Sequence, residues 1–334
     1  MSFEMLPLSR RAFGRMLGVF LLGAPSLATA QGVTVVRRIG VLEPGAPDPP
    51  EFLWKQAEPL RKLGWVEDQN LRVERRYANG RSEALQPLAE ELLRAQVEII
   101  VTAGTAATLA AKRATNTVPI LIRSAGDPVL LGLVASLARP GGNVTGYSWV
   151  GPEVDAKSLS LLKEVLPALQ RVGVLEWSAE PYFRTLREQF EHTCQSLRLD
   201  AIFAAIASSG EIESAIAQLA RQRVQALMLR GSGFFYEHRF EIVSTAMKHG
   251  LPTLSNEPEI VREAGALIAY SPTQAEQDRI RASYIDLILR GARPADLPVQ
   301  QPSKFELVIN LKTARTLGLT IPQALLLRAD EVIQ

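Results

Sequence analysis

The sequence predicts an α/β protein built from two similar lobes, each with a parallel sheet. Short apolar segments alternate with amphipathic segments along most of the chain, which is the pattern of parallel strands covered on both faces by helices. The alternation stops after residue 122 and starts again at Arg171. A chain of 334 residues is long enough for about two domains. Two lobes are therefore expected, and not one long sheet.

The elements follow from the periodicity of apolar residues and from stop signals such as Gly64. In the first set we predict strands at 38–42, 71–77, 97–101 and 119–122, with helices at 50–63, 82–95 and 105–114. In the second set we predict strands at 171–175, 201–206, 225–229, 251–254 and 266–269, with helices at 182–197, 212–222, 238–249 and 274–290. A strand from Phe305 then leads into a capped amphipathic helix over 310–321.

The first 30 residues have the pattern of a cleaved export signal. Three arginines precede an apolar run over residues 16–22, and residues 28–30 (Ala-Thr-Ala) supply a small-residue cleavage site. The pair Arg10-Arg11 is also typical of a twin-arginine signal, so the export route stays open. A membrane anchor is disfavoured because it needs about 20 apolar residues. No cysteine stands near the cleavage site, so we expect a soluble periplasmic protein without a lipid anchor.

Composition excludes several classes of function. Lys and Arg number 37 against 35 Asp and Glu, whereas a nucleic-acid-binding surface normally brings a basic excess. Without residues 1–30, the chain keeps 34 residues of each sign. Cys194 is the single cysteine and the three histidines lack metal-ligand spacing, so we expect no disulfide, metal or cofactor. P-loop, dinucleotide and nucleophile-elbow motifs are absent from the sequence, so we expect no catalysis.

A ligand site is expected in a cleft between the lobes, at the carboxyl ends of the strands. The loops that follow the predicted strands supply the candidate residues. They are Gly104, Thr105, Ala106, Asp127, Tyr147, Ser148, Ser232, Phe234, Asn256, Glu257 and Tyr270.

Some of these residues suit the charged ends of a ligand. The segment Gly104-Thr105-Ala106 stands where a strand becomes a helix, and the free N–H groups of a helix start bind carboxylates. The alternative is that Thr105 is only an N-cap. Asp127 or Glu257 would pair with a ligand ammonium if the ligand is an amino acid. However, Asp127 followed by Pro128 is also what an ordinary helix start requires.

Aromatic side chains are concentrated beside these loops, although they make up only 6% of the chain. Tyr147, Phe234 and Tyr270 are candidates to enclose a flat or apolar ligand. The alternative is packing between the lobes or in the core. Trp65 and Trp177 lie within or next to regular elements, so we assign them to the core.

Long motifs in the sequence resemble one known protein family. One includes Gly126-Asp-Pro-Val and Ser136-Leu-Ala-Arg-Pro-Gly-Gly-Asn-Val-Thr-Gly146. Another includes Ile288-Leu-Arg-Gly-Ala-Arg-Pro-Ala-Asp-Leu-Pro-Val299 and the run from Phe305 to Pro322. Over nearly all of residues 37–334, the chain resembles the ABC-transporter substrate-binding proteins whose better-known members bind tryptophan or tyrosine.

The resemblance implies a type I periplasmic-binding-protein fold, in which two Rossmann-like lobes joined by three crossovers close around a small molecule. It implies residues 36–147 plus 272–302 as lobe 1, and residues 148–271 plus 303–334 as lobe 2. The expected function of this monomer is to capture an amino acid or an aromatic or other organic acid and deliver it to an ABC permease. Gly265-Ala266-Leu267 and Tyr270-Ser271 depart from the family pattern, so the identity of the ligand does not carry over.

Two other functions stay open at this point. The same binding module would serve a sensory role if it presented its closed form to a membrane receptor kinase or chemoreceptor. An exported enzyme on a doubly wound fold is disfavoured because the sequence offers no catalytic set.

Overall fold

The structure is a computed structural model that describes residues 36–47, 57–124, 126–148, 152–178 and 181–334. The predicted export signal and the first part of the helix predicted at 50–63 lie outside the described residues. Residues 57–62 are helical, and Gly64 follows them with φ +90°.

The regular elements alternate as the sequence predicts. In chain order they are β1 (Arg37–Glu43), β2 (Leu71–Tyr77), α1 (Leu85–Arg94), β3 (Ile99–Ala103), α2 (Gly104–Ala114), β4 (Ile120–Ser124), β5 (Val144–Gly146), α3 (Pro152–Val165), β6 (Arg171–Trp177), α4 (Pro181–Ser196), β7 (Asp200–Ile206), α5 (Ile212–Arg221), β8 (Ala226–Leu229), α6 (Gly233–Glu237), α7 (Arg239–Lys248), β9 (Thr253–Ser255), α8 (Pro258–Ala264), β10 (Ile268–Pro272), α9 (Gln274–Leu289), β11 (Phe305–Asn310), α10 (Leu311–Thr316), α11 (Gln323–Leu326) and β12 (Glu331–Ile333). Short 3-10 turns occur at Ser82–Ala84, Ser209–Glu211 and Pro294–Asp296.

One sheet has the strand order β2-β1-β3-β4-β5, and its neighbouring strands pair in parallel. Successive residues of a strand point to opposite faces, and both faces of this sheet are covered. Ile100 packs in the core that includes α1 and α2, whereas its neighbours Ile99 and Val101 pack in the core that includes α9. The helix α9 therefore belongs to the five-stranded sheet, although it follows β10 in the chain.

The other sheet has the order β12-β11-β10-β9-β8-β6-β7, and only β10 and β11 are antiparallel among its described pairs. The route of the chain explains this exception. After β10 the chain enters α9, and it returns with the Thr273 N–H donating to the Lys304 carbonyl at 3.0 Å. Because β11 begins where β10 ends, it must run in the opposite direction.

The chain passes between the two sheets after β5, after β10 and before β11 within its described part. The first and third of these connections run side by side. The Gln300 N–H donates to the Gly146 carbonyl and the Ser148 N–H donates to the Gln300 carbonyl, each at 2.9 Å. Glu276, at the start of α9, accepts hydrogen bonds from the amides of Ser303 and Lys304 at 3.1 and 3.0 Å. The second and third connections are thereby tied together as well.

Three local expectations need correction. The helix predicted at 310–321 is only α10, which starts with the Asn310 side chain accepting from the Thr313 N–H at 3.0 Å. It ends early because Gly318 takes a positive φ of 66°. The helix start suggested by Asp127-Pro128 is a turn. Strand β5 and helix α3 were not predicted; α3 buries Asp155 and Ser158 among its leucines, which weakens the apolar pattern.

Candidate functional site

The loops that follow β3, β4 and β5 are hydrogen-bonded to one another. The Gly126 N–H donates to Thr105 Oγ1, and Ser148 Oγ donates to the Gly126 carbonyl, both at 3.2 Å. Thr105 and Ser148 are buried. The structure thus brings together two predicted site residues, Thr105 and Ser148, through the backbone of Gly126.

The start of α2 is open at the carboxyl end of β3. The N-cap residue is Ala103, which has no side chain able to cap, so the alternative that Thr105 is the N-cap is wrong. Gly104 has φ +76°, a conformation that favours glycine, and a Cβ there would meet no described atom within 4 Å. Ala106, two residues after Gly104, is half-buried. This backbone therefore presents helix-start N–H groups of the kind that bind anions.

Asp127 is already engaged by its own turn. Its Oδ1 accepts hydrogen bonds from the amides of Val129 at 2.9 Å and Leu130 at 3.0 Å. These bonds close a turn and not the helix start that the sequence left open as the alternative to ligand binding.

In the seven-stranded sheet, Glu257 joins the loops that follow β8 and β9. Its Oε1 accepts from the Ser232 N–H at 3.1 Å, and its own N–H donates to Ser255 Oγ at 3.0 Å. Burial raises the pKa of Glu257 to about 8, and the negative charge of Glu259 adds to this shift. The Ser232 amide and the positive charges of Arg239 and Arg123 act in the opposite direction.

Two buried polar atoms beside Glu257 lack a hydrogen-bond partner among the described residues. They are Ser232 Oγ and Asn256 Oδ1, on residues with exposed fractions of 7% and 5%. Buried polar groups in proteins are almost always hydrogen-bonded. Ser232 and Asn256 follow neighbouring strands of the same sheet, so each of these atoms is available to a polar group of a ligand.

The aromatic candidates have different environments. Phe234, near the start of α6, stacks on Trp177 with ring centroids 5.0 Å apart. Tyr147 is buried in the core between the five-stranded sheet and α9, and burial raises the pKa of its hydroxyl. Tyr270 lies within β10 and stacks on Phe305 at 5.1 Å. Tyr147 and Tyr270 are therefore not brought into the group formed by Ser232, Asn256 and Glu257.

Charged residues that sequence reasoning did not select lie near the same loops. Arg123, in β4, forms a bidentate pair with Glu43 at the end of β1, with N–O distances of 2.8 and 3.1 Å. The charge of Arg123 acts on Glu257 in the other sheet and on Arg281 in α9. The sequence could have indicated Arg123, because it is a charged residue at the end of the apolar run Ile120-Leu-Ile.

The loops of the two halves approach each other on this side. A Cβ on Gly233 would lie 3.8 Å from Pro44 Cγ, although these residues follow strands of different sheets. Leu131, in the turn after β4, packs against the cores of both sheets. The backbones of α2 and α4 come within 8 Å. The loops that carry the candidate residues are therefore gathered at one junction between the halves.

Two such sheets, joined by crossing connections and meeting through their carboxyl-end loops, define the type I periplasmic-binding-protein architecture that was predicted. Residues 56–333 match the family described as ABC transporter substrate binding protein, so the chain belongs to that family. A small-molecule ligand, an ABC permease partner and an extracytoplasmic location follow from this membership.

Relatives of known ligand or structure support this assignment. A tyrosine-binding protein from Clostridioides difficile (strain R20291) is 25% identical over 261 residues, which cover 78% of this chain and 74% of the relative. An ABC domain from Streptococcus pneumoniae in complex with L-Trp is 27% identical, with a TM-score of 0.82 over 89% of this chain and 100% of that one. A conserved domain protein from Vibrio cholerae O1 biovar El Tor strain N16961 is 26% identical, with a TM-score of 0.82 over 89% and 99%.

The family consists of substrate-binding proteins, and two of these relatives are described as tyrosine-binding or in complex with L-Trp. Among the described residues, no group of three or more His, Cys, Asp or Glu side chains is placed to hold a metal ion. A search of the same residues finds no helix with the length and apolarity needed to cross a bilayer.

Proposed function

We propose that this protein is a periplasmic receptor that captures an amino acid or an aromatic acid and delivers it to an ABC permease. The unpartnered Ser232 Oγ and Asn256 Oδ1, beside the Glu257 carboxyl, are the observation that carries this proposal. A ligand ammonium would give both oxygens a donor and would offset the burial of Glu257. The tyrosine-binding and L-Trp-bound relatives support a ligand of this chemistry.

The remaining parts of such a ligand have matching groups nearby. The N–H groups at Gly104-Thr105-Ala106 suit a carboxylate, and Ser148 supports that loop through Gly126. The Phe234 ring, fixed on Trp177, suits an apolar or aromatic side chain. The carboxylate of Asp127 and the ring of Tyr147 serve local structure, and Tyr270 stacks on Phe305 within the sheet.

In this proposal, residues 36–147 plus 272–302 move as one lobe and residues 148–271 plus 303–334 as the other. The connections held together by Gln300 and Glu276 form the hinge. Closure brings Glu257 and the start of α2 to the same ligand, and the permease distinguishes the closed state from the open one. The protein works as a monomer, without nucleic acid, after residues 1–30 direct its export.

Ligand binding is tested by the melting temperature of the purified protein in the presence of L-tryptophan, L-tyrosine and benzoate. A bound ligand raises the melting temperature by mass action. Asn256→Ala should weaken binding of the amino acids, whereas Asn79→Ala, on an exposed turn of the other sheet, should leave it unchanged. Native mass spectrometry of the freshly purified protein would identify a co-purified ligand. Chemical conversion of that ligand by the protein would contradict the proposal.

A further inference from the structure

Arg281 of α9 is a buried charge with one donor that no described residue accepts. It is 7% exposed, and its Nη2 donates to Asp278 on the same helix. Its Nη1 is also buried and has no hydrogen-bond partner in the described part of the chain. A guanidinium carries five N–H donors, and burying one without an acceptor is unfavourable. Nη1 of Arg281 can therefore donate to an acceptor outside the described residues.

The carboxylates near Arg281 already have other hydrogen-bond partners. Glu43 uses both of its oxygens on Arg123. Asp278 accepts from Gln274 Nε2 at 2.7 Å as well as from Arg281. Burial lowers the pKa of Arg281, and the positive charge of Arg123 adds to this effect against the charges of Asp278 and Glu43. An additional anion beside Arg281 would thus be electrostatically favourable.

The position of Arg281 is set by the packing of α9, in which the adjacent Ile280 lies in the core with Ile39 of β1 and Leu121 of β4. Glu43 ends β1 and Arg123 lies near the end of β4. In the sheet, β3 lies between these two strands, and α2 begins directly after β3 at Gly104. Arg281 and the open N-terminus of α2 are thus placed around the same edge of the sheet. Pro44, which follows Glu43, approaches Gly233 of the other half, so this edge is the one that faces the proposed ligand.

We infer that Arg281 binds an anionic group of the ligand, a carboxylate in the classes proposed above, together with the N–H groups at the start of α2. A carboxylate has two oxygens, so one can accept from Arg281 Nη1 while the other accepts from a backbone N–H. The ligand is then held by its anion in the five-stranded half and by its ammonium in the other half. This inference rests on the proposed function and adds a residue of α9 to the site.

Three related probes separate the two charged ends of a ligand. L-Tryptophan carries both charges, indole-3-propionate carries only the carboxylate, and tryptamine carries only the ammonium. We expect Arg281→Gln to weaken binding of L-tryptophan and indole-3-propionate by about 30-fold or more, as for other buried charged hydrogen bonds, and to leave the affinity for tryptamine unchanged. Benzoate and the other common L-amino acids extend the panel in case the site does not fit an indole ring.

Arg279→Gln is the matched control because Arg279 is an exposed residue of the same helix. It makes the same change of charge and should bind every probe as the wild type does. Arg281→Lys keeps the charge but not the forked pair of donors, so it should also weaken carboxylate binding. It provides the test if Arg281→Gln does not fold. Asp278→Asn keeps the Oδ1 acceptor for Gln274 and removes a competing charge, so carboxylate binding should be retained or strengthened.

The results separate the role of Arg281 from the proposed function. If Arg281→Gln and Arg281→Lys bind the carboxylate probes as tightly as the wild type, or if tryptamine binds as tightly as L-tryptophan, the role of Arg281 is wrong and the proposed function stands. If the wild type binds no member of the panel, the proposed function is contradicted, and this inference is contradicted with it.

Discussion

The rings of Trp177 and Phe234 lie parallel, with an interplanar angle of 11° and centroids 5.0 Å apart. Trp177 ends β6 and Phe234 follows β8, and these strands are neighbours in the seven-stranded sheet. Phe235 and His238 contact other parts of the Phe234 ring. The stack therefore holds the first turn of α6 in a defined orientation beside Ser232.

We predict that Phe234→Leu lowers the free energy of unfolding by about 1 kcal/mol, because offset or parallel aromatic pairs contribute roughly 0.5–1.5 kcal/mol beyond their buried area. The same variant should weaken L-tryptophan binding. Phe240→Leu is the control, since Phe240 is 54% exposed, and it should change the unfolding free energy by less than about 0.5 kcal/mol. Urea unfolding and calorimetric titration measure the two effects. Equal values for the two variants would show that the stack does not stabilise α6.

The buried ion pair between Asp155 and Arg230 supports the second prediction. Their side chains are 6% and 3% exposed, and Arg230 Nη2 lies 3.1 Å from Asp155 Oδ2. Asp155→Ala removes the carboxylate that faces a buried guanidinium, so it should lower the free energy of unfolding by about 3–5 kcal/mol. Glu164→Ala breaks the exposed pair with Arg328 and should cost less than about 1 kcal/mol. The prediction is wrong if urea unfolding gives similar values for both.

Cys194 provides an independent measure of the same region. It is buried near Asp155 and Arg230, and burial raises the pKa of its thiol to about 12. The reactive form of a cysteine is the thiolate, so the native protein should react with a thiol reagent only when it unfolds. Asp155→Ala should therefore speed labelling about tenfold for each 1.4 kcal/mol of stability it loses, whereas Glu164→Ala should change the rate much less. Rapid labelling of the native wild type at neutral pH would contradict this assignment.

The sequence predicts most of the fold because parallel strands buried on both faces leave apolar runs that are easy to recognise. It also predicts that Thr105, Ser148, Ser232, Asn256 and Glu257 lie at the carboxyl ends of strands, since every loop after a parallel strand emerges at the same edge; that they bind a ligand stays a prediction. Other features depend on tertiary structure. Tyr147 directly follows the three-residue strand β5. Whether its ring faces the core depends on which face of the sheet it lies on, and so short a strand has no sequence pattern that shows this. The place of Arg281 follows from the connection that carries α9 to the other sheet. The dipeptide Asp127-Pro128 is compatible both with a turn and with a ligand site, so the sequence alone does not distinguish the two.

Gly146, the last residue of β5, pairs with Ile122 of β4. A Cβ at this position would lie 2.4 Å from the carbonyl oxygen and 2.7 Å from the nitrogen of Ile122, and φ is +130°. Gly146→Ala must therefore strain the backbone or separate β4 from β5, and we expect it to destabilise the protein by about 2–4 kcal/mol. Gly142→Ala, where no described atom lies within 4 Å of the added carbon, should be tolerated. The comparison is made by thermal and urea unfolding, and equal stability of the two variants would rule out the strain.

Glu257 gives the stability of the ligand-free protein a defined dependence on pH. Its pKa is about 8 in the folded chain and 4.5 as the ordinary value. Between these values the folded state holds a proton that the unfolded state has released. The contribution of Glu257 to the free energy of unfolding is thus fully present below about pH 4.5 and is lost as the pH rises to about 8. The slope for one group is at most about 1.4 kcal/mol per pH unit.

Glu257→Gln imitates the protonated carboxyl and keeps an acceptor for the Ser232 N–H. Urea unfolding from pH 5 to 8 should therefore show the wild type losing stability relative to Glu257→Gln as the pH rises. Glu259→Gln removes the like charge that helps to raise the pKa of Glu257, so in this variant the loss should end at a lower pH and be smaller in total. Parallel curves for the wild type and Glu257→Gln would mean that Glu257 is ionised throughout. That result would contradict the raised pKa of Glu257, although an ionised carboxylate would still pair with a ligand ammonium.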